Sequence, residues 1–148
     1  MKNGHIKIDG VMDQRLYILD DDEQYANLLA EVATSAGWLA IPEQSAHSFL
    51  ETEFPKNSVL VLDLIMPEMD GITLTNEIRK KYSREHLAFI GISGASNGIH
   101  SASFIKNGAD DFLRKPFCPE EFYCRITQNI ENLINIARIQ KAANTDYL

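Results

Sequence analysis

The chain has 148 residues, a length that suits one domain, and its 45% hydrophobic and 24% charged residues are the balance of a globular protein with a real core. Fourteen basic against 21 acidic residues leave a net charge of −7, the wrong sign for a duplex-binding surface, so no direct nucleic-acid partner is expected. No apolar run approaches the roughly 20 residues that span a bilayer, and the N-terminal stretch lacks the apolar core of a signal peptide, so no membrane association is expected, while two cysteines in no metal or disulfide pattern suit a reducing, cytoplasmic location.

Residues 1–13 read as an N-terminal arm. RLYIL (15–19) is a short β-prone run that ends in Asp20, Asp21 and Asp22. The next stretch repeats Tyr25, Leu28, Leu29, Val32 and Ala36 at helical spacing, and Gly37 is its stop. WLAI (38–41) is a second strand closed by Pro42, with Trp38 a packing residue. SAHSFLETEF carries Phe49, Leu50 and Phe54 on a helix that Ser45 can cap and Pro55 ends. SVLVL (58–62) is apolar at successive positions, which suits a strand buried on both faces of a parallel sheet. GITLTNEIRKKY is an amphipathic helix on Ile72, Leu74 and Ile78. LAFIGIS (87–93) is another strand of the doubly buried kind. A helix on Ile99, Ala102, Phe104 and Ile105 follows and stops at Gly108, then the short strand DDFL (110–113). The last helix begins with Pro119 in its first turn and acids just after it.

Five strand–helix pairs in strict alternation predict an α/β fold, a five-stranded parallel doubly wound sheet with an extended C-terminal helix. Ligands in such sheets sit beyond the carboxyl ends of the strands, where the strand order reverses. The residues at those ends are Asp20, Asp21 and Asp22, then Asp63, Ser93 and Lys115. Crowded carboxylates persist when a cation neutralises them or one stays protonated. An all-oxygen donor set selects a hard ion, with Mg²⁺ the expected one and Mn²⁺ a second candidate. The ion also lets an anionic phosphoryl donor approach Asp63, the nucleophile of an aspartyl phosphate. Lys115 and the Ser93 hydroxyl are the donors available to the transferring oxygens.

These residues resemble the receiver domain of bacterial two-component response regulators over residues 14–135, on the stretches YILDDDEQYANLL, VLVLDLIMPEMDGITL, FIGISGA and GADDFLRKPF. The resemblance implies strand order 2-1-3-4-5, Asp63 as the phosphoacceptor, and Asp21 as direct metal ligand with Asp20 acting through water. It implies that the backbone carbonyl of Ile65 completes the metal site. It makes Ser93 and Phe112 the switch pair, Lys115 the phosphate-pairing lysine, and Lys115–Pro116 a cis bond. The implied partner is a sensor histidine kinase or a histidine phosphotransfer protein. Ile65 and Ala95 flank the water approach and neither can orient a water, so slow self-dephosphorylation is expected.

Residues 136–148 read as an extended helix and a junction to an output domain. The tail resembles receivers that precede a GGDEF diguanylate cyclase domain, with Asn144 to Leu148 as the junction, which implies cyclic di-GMP output. Ile126, Ile130, Leu133, Ile134, Ala137 and Ile139 form a heptad-like stripe that suits a homodimer through the last helix. Ile126 and Ile130 are expected in the domain's own core and the later positions at the interface.

A stand-alone receiver that signals through a protein partner is the first alternative. A haloacid-dehalogenase-type phosphatase is another, but Gln24 stands where that motif needs Thr, and Asp110 and Asp111 precede the lysine instead of following it. The glycines of GISGASNG match no phosphate loop. Cys118 and Cys124 fit neither a metal spacing nor a disulfide framework, and His5, His47, His86 and His100 read as surface residues.

Overall fold

The computed structural model describes residues 14–43, 45–67, 69–94 and 98–146, with 98–101 and 140–146 as backbone only. The N-terminal arm, Ala95 and the last two residues of the junction lie outside the described residues.

The elements alternate as expected: β1 (Arg15–Leu19), α1 (Glu23–Ser35), β2 (Leu39–Pro42), α2 (Ala46–Glu51), β3 (Ser58–Asp63), α3 (Gly71–Arg79), β4 (Leu87–Ser93), α4 (Gly98–Lys106), β5 (Asp111–Arg114) and α5 (Pro119–Asp146). The five strands are parallel in the order β2-β1-β3-β4-β5. Side chains alternate across a strand, so each strand feeds two cores. Leu16, Ile18, Val59, Val61, Ile90 and Ile92 face α1 and α5. Tyr17, Leu19, Leu60, Leu62, Leu87 and Phe89 face α2, α3 and α4. Every residue of β3 and β4 is buried, which is why those segments read as continuous apolar runs.

Several boundaries and faces differ from the sequence expectation. β2 starts at Leu39 because the Trp38 N–H is taken by the Ala33 carbonyl at the end of α1. The Trp38 ring stacks on Tyr123 with centroids 5.4 Å apart. Helix α2 ends at Glu51, where Thr52 turns extended and its hydroxyl donates to the Ser48 carbonyl. Phe54 is buried from the following loop instead, edge-on to Tyr17 and Phe49. β5 begins at Asp111, although the Asp110 N–H already donates to the Phe89 carbonyl at 2.9 Å, and the Lys115 N–H extends the ladder to the Ser93 carbonyl.

Helix α1 buries Ala26, Leu29 and Ala33 and leaves Leu28 44% exposed, so two small residues flank Leu29 on the contact face. Helix α4 buries Phe104 and exposes Ala102 and Ile105. Phe104 lies so close to β4 that a Cβ on Gly91 would sit 2.3 Å from its ring. On α5, Leu133 and Ile134 join Ile126 and Ile130 in the domain's own core, against the expectation that they face a partner. The stripe left beyond the core is Ala137, half-buried, and Ile139, 67% exposed.

Candidate functional site

The sheet places Asp20 just beyond β1, Asp63 at the end of β3, Ser93 at the end of β4 and Lys115 just beyond β5. β1 and β3 are adjacent in the sheet, and the strand order reverses between them, so the two carboxylates meet at the crevice this fold offers to ligands. The turn after β1 is ordered by its own acids. Asp20 Oδ1 accepts the Asp22 N–H at 2.9 Å, and Asp22 caps α1 by accepting from Gln24 and Tyr25. One acid of the triplet is therefore a helix cap, and the other two are left for the rim.

The loop after β3 is fixed by a close approach. The Ile65 N–H donates to Asp63 Oδ1 at 3.1 Å, and the Gly71 N–H donates to the Leu64 carbonyl at 2.8 Å. A Cβ at Gly71 would stand 2.7 Å from the Leu64 Cα, so only glycine lets the start of α3 brace this loop. Asp70 caps α3 by accepting from the Thr73 N–H. The Asp-Gly pair thus serves the helix start and the loop at once.

Lys115 joins the acids. Its Nζ donates to Asp20 Oδ2 at 2.8 Å and lies 3.4 Å from Asp63 Oδ2. The Lys115–Pro116 peptide is cis. Asp20 and Asp63 are buried at 7% exposure each, while Asp21 is exposed beside them. Carboxylate oxygens of all three lie within 4.8 Å of one another. That oxygen-only set fits a hard divalent ion, with the exposed Asp21 accessible for direct ligation. Burial pushes the Asp63 carboxyl from its ordinary 3.8 up to about 6, and the Asp20 carboxylate pushes the same way, while the Ile65 N–H and Lys115 oppose. For Lys115, burial lowers the pKa, but the Asp20 hydrogen bond and the two carboxylates outweigh it and raise it.

Ser93 is fully buried at the rim, and its backbone carbonyl accepts the Lys115 N–H at 2.8 Å. Phe112 is half-buried against the core that holds Phe104, two residues along β5 from the rim. Ile65 is 52% exposed beside Asp63. An open cleft of about 680 Å³ runs from Asp20 and Asp21 past Met66 and Pro67, and Glu23 and Glu43 also line it.

Asp110 and Asp111 lie at the other end of β5. Asp110 pairs with Arg79 at 2.7 Å, and Asp111 with Arg125 at 2.5 Å, so neither can act with Asp63 as the phosphatase alternative requires. One residue at the rim was read from the sequence only as part of the apolar stripe of α1. The Tyr25 ring lies under the Lys115 ammonium, Nζ to centroid 4.4 Å. Its place in the first turn after the acidic triplet is the signal that puts it there.

The model of the response regulator receiver domain family matches residues 16–127. The transcriptional regulatory protein RprY of Bacteroides fragilis (strain YCH46) is 34% identical over 121 residues, 78% of this chain and 49% of RprY. The crystal structure of a two-component system response regulator/GGDEF domain protein superimposes with a TM-score of 0.75 at 31% identity, over 82% of this chain and 50% of that one. The beryllofluoride-activated NtrC4 receiver domain dimer matches at 28% identity and a TM-score of 0.70, over 80% of this chain and 98% of that one. The chain spans about half the length of the curated relatives it matches.

Proposed function

The chain belongs to the response regulator receiver domain family, and from that premise we propose that it accepts a phosphoryl group on Asp63 in a Mg²⁺-dependent reaction. The observation that carries this reading is the meeting of Asp20, Asp21, Asp63 and Lys115 at one rim of the sheet. Asp21, Asp63 and the Ile65 carbonyl would hold the ion directly, with Asp20 holding it through water. Bound Mg²⁺ supplies positive charge that offsets the repulsion between the carboxylates and the incoming phosphoryl oxygens. An Asp63 oxygen attacks phosphorus, and the bond from phosphorus to the donor's imidazole nitrogen breaks, its electron pair leaving with the histidine. The donor is a sensor histidine kinase or a histidine phosphotransfer protein. Lys115 pairs with the transferred oxygens, and the Ser93 hydroxyl moves to them while Phe112 turns inward. Ile65 cannot orient a water, so the aspartyl phosphate is slow to hydrolyse, with a half-life well beyond minutes.

Residues 14–135 form the receiver, and residues 136–148 carry its signal onward. The output we favour is a diguanylate cyclase of the GGDEF type, because the response regulator/GGDEF protein aligns over a receiver-sized half of its length. A homodimer through the last helix, on Ala137 and Ile139, would couple the receiver to such an output, and the NtrC4 dimer supports pairing of receivers in general. A second reading is a transcriptional output, supported by the description of RprY as a transcriptional regulatory protein.

The test is incubation with Mg²⁺ and a small acyl phosphate, followed by intact mass. One phosphoryl adduct is expected, lost in Asp63→Asn and on chelation. No adduct, or an adduct that survives in Asp63→Asn, overturns the reading.

A further inference from the structure

The Lys115 ammonium has three N–H bonds to place. Asp20 Oδ2 at 2.8 Å and Asp63 Oδ2 at 3.4 Å take two directions. The third side of the ammonium is occupied by an aromatic face, the Tyr25 ring at 4.4 Å, well inside the roughly 6 Å range of a cation–π contact. We propose that Tyr25 is a positioning residue for Lys115, a fixed seat that keeps the ammonium aimed at the phosphoryl site while its carboxylate partners change. This rests on the phosphoryl-transfer reading of the site.

The carboxylates are poor fixed partners. Asp63 is the reacting group, and both acids change their charge balance when an ion or a phosphoryl group arrives. The ring does not. The lysine side chain is only 19% exposed, so the contact lies near the desolvated, stronger end of its range. The ring is itself braced. Phe117 meets it edge-on at 5.6 Å and stacks on Phe122 of α5 at 5.9 Å. The seat therefore ties α1 to the segment that carries Lys115 and on to α5. Simple packing would be served equally by leucine. The Tyr25 hydroxyl is buried beside the Phe117 backbone without a well-formed hydrogen bond, so the ring and not the hydroxyl is the working part.

The experiment measures the rate of phosphorylation of the full chain by acetyl phosphate at saturating Mg²⁺. Tyr25→Phe keeps the wild-type rate within about twofold, and Tyr25→Leu slows it about three- to thirty-fold. Because the effect runs through Lys115, the double variant Tyr25→Leu/Lys115→Ala is no slower than Lys115→Ala alone. A structural role would instead slow the double variant by the same factor again. Thermal unfolding accompanies each rate, and Tyr25→Met replaces the leucine variant if that one does not fold. A leucine variant at wild-type rate, or additive effects in the double variant, overturns the inference while the phosphoryl-transfer reading stands. A wild-type protein that gains no phosphoryl group overturns that reading itself.

Discussion

Two ends of the sheet hold buried charge, and they are built differently. At the amino end of β4 and β5, Arg79 and Asp110 lie 2.7 Å apart. The guanidinium also donates to the carbonyls of Gly108, Ser83 and Leu87, and the second role of Asp110 is to accept the Phe89 N–H. Arg84 adds a second cation close enough to act on Asp110, so the one carboxylate is fully offset, and the remaining guanidinium donors meet backbone oxygens. At the carboxyl rim, three carboxylates face one ammonium, and one of those acids is exposed. The amino-end cluster is complete by itself. The rim has a surplus of negative charge that calls for a cation and an electrophile. Burial and proximity are common to both, so it is the unbalanced charge that separates the proposed phosphoryl site from a clamp.

The largest expected effect breaks the clamp. Arg79→Ala leaves the Asp110 carboxylate without its hydrogen-bonded cation and frees three carbonyls, so it should destabilise the fold by about 3–5 kcal/mol. A denaturant midpoint measures this. A loss below about 1 kcal/mol would mean that the clamp is solvated and the contrast with the rim is lost. The next effect falls on the rim's own scaffold. Gly71→Ala forces a Cβ against the Leu64 backbone and should cost about 1–3 kcal/mol. It also shifts the loop that carries Asp63, so phosphorylation should slow more than the stability loss explains. A variant that is destabilised but phosphorylates normally would show that the loop is not held by this contact.

The rim was legible in sequence because its residues are out of keeping with their neighbours. Asp63 ends an apolar strand, and Lys115 precedes a proline after one. The clamp was not legible. Arg79 sits among lysines at the end of α3, where a basic residue is ordinary, and its partner is 31 residues away. Helix faces were read less well than strands. The period of α1 favoured Leu28, but the close approach to the sheet selects the smaller Ala26 and Ala33. On α5 one apolar stripe serves two purposes, and only the packing shows that the core takes Leu133 and Ile134. The partners of Asp111, the Arg125 guanidinium and the neutral Asn129 amide, likewise needed the structure.

A smaller effect, of opposite sign, sharpens the rim. The Asp63 carboxyl has its pKa raised from 3.8 to about 6, so the native state binds that proton more tightly than the unfolded chain. Ionisation therefore removes stability as pH rises through about 4 to 6, and the full penalty stands above that window. Two pKa units set a ceiling near 3 kcal/mol, and solvent access at the open rim reduces it to about 1–2. Asp63→Asn should thus be more stable than the wild type by that amount at pH 7.5 in chelator and equal to it at pH 4. Mg²⁺ should stabilise the wild type more than the variant. Urea midpoints at the two pH values decide it. An advantage that persists at pH 4 would place its origin in something other than the charge.

The smallest expected effect tests whether proximity alone makes a clamp. Glu77 of α3 and Lys80, its C-cap, form an ion pair of 2.9 Å, close to the 2.7 Å of Arg79 and Asp110. Their side chains are 65% and 45% exposed, against 11% and 22% in the clamp. In water the pair gains little over its hydrated partners, and holding two long side chains together costs entropy. Glu77→Gln should change stability by no more than about 0.5 kcal/mol, and that change should vanish in high salt. Arg79→Ala should keep most of its cost in the same salt, because the groups it strands are shielded from ions. If the two variants responded alike to salt, the buried cluster would be a surface pair in all but position. Its contrast with the rim would then have to rest on charge count alone.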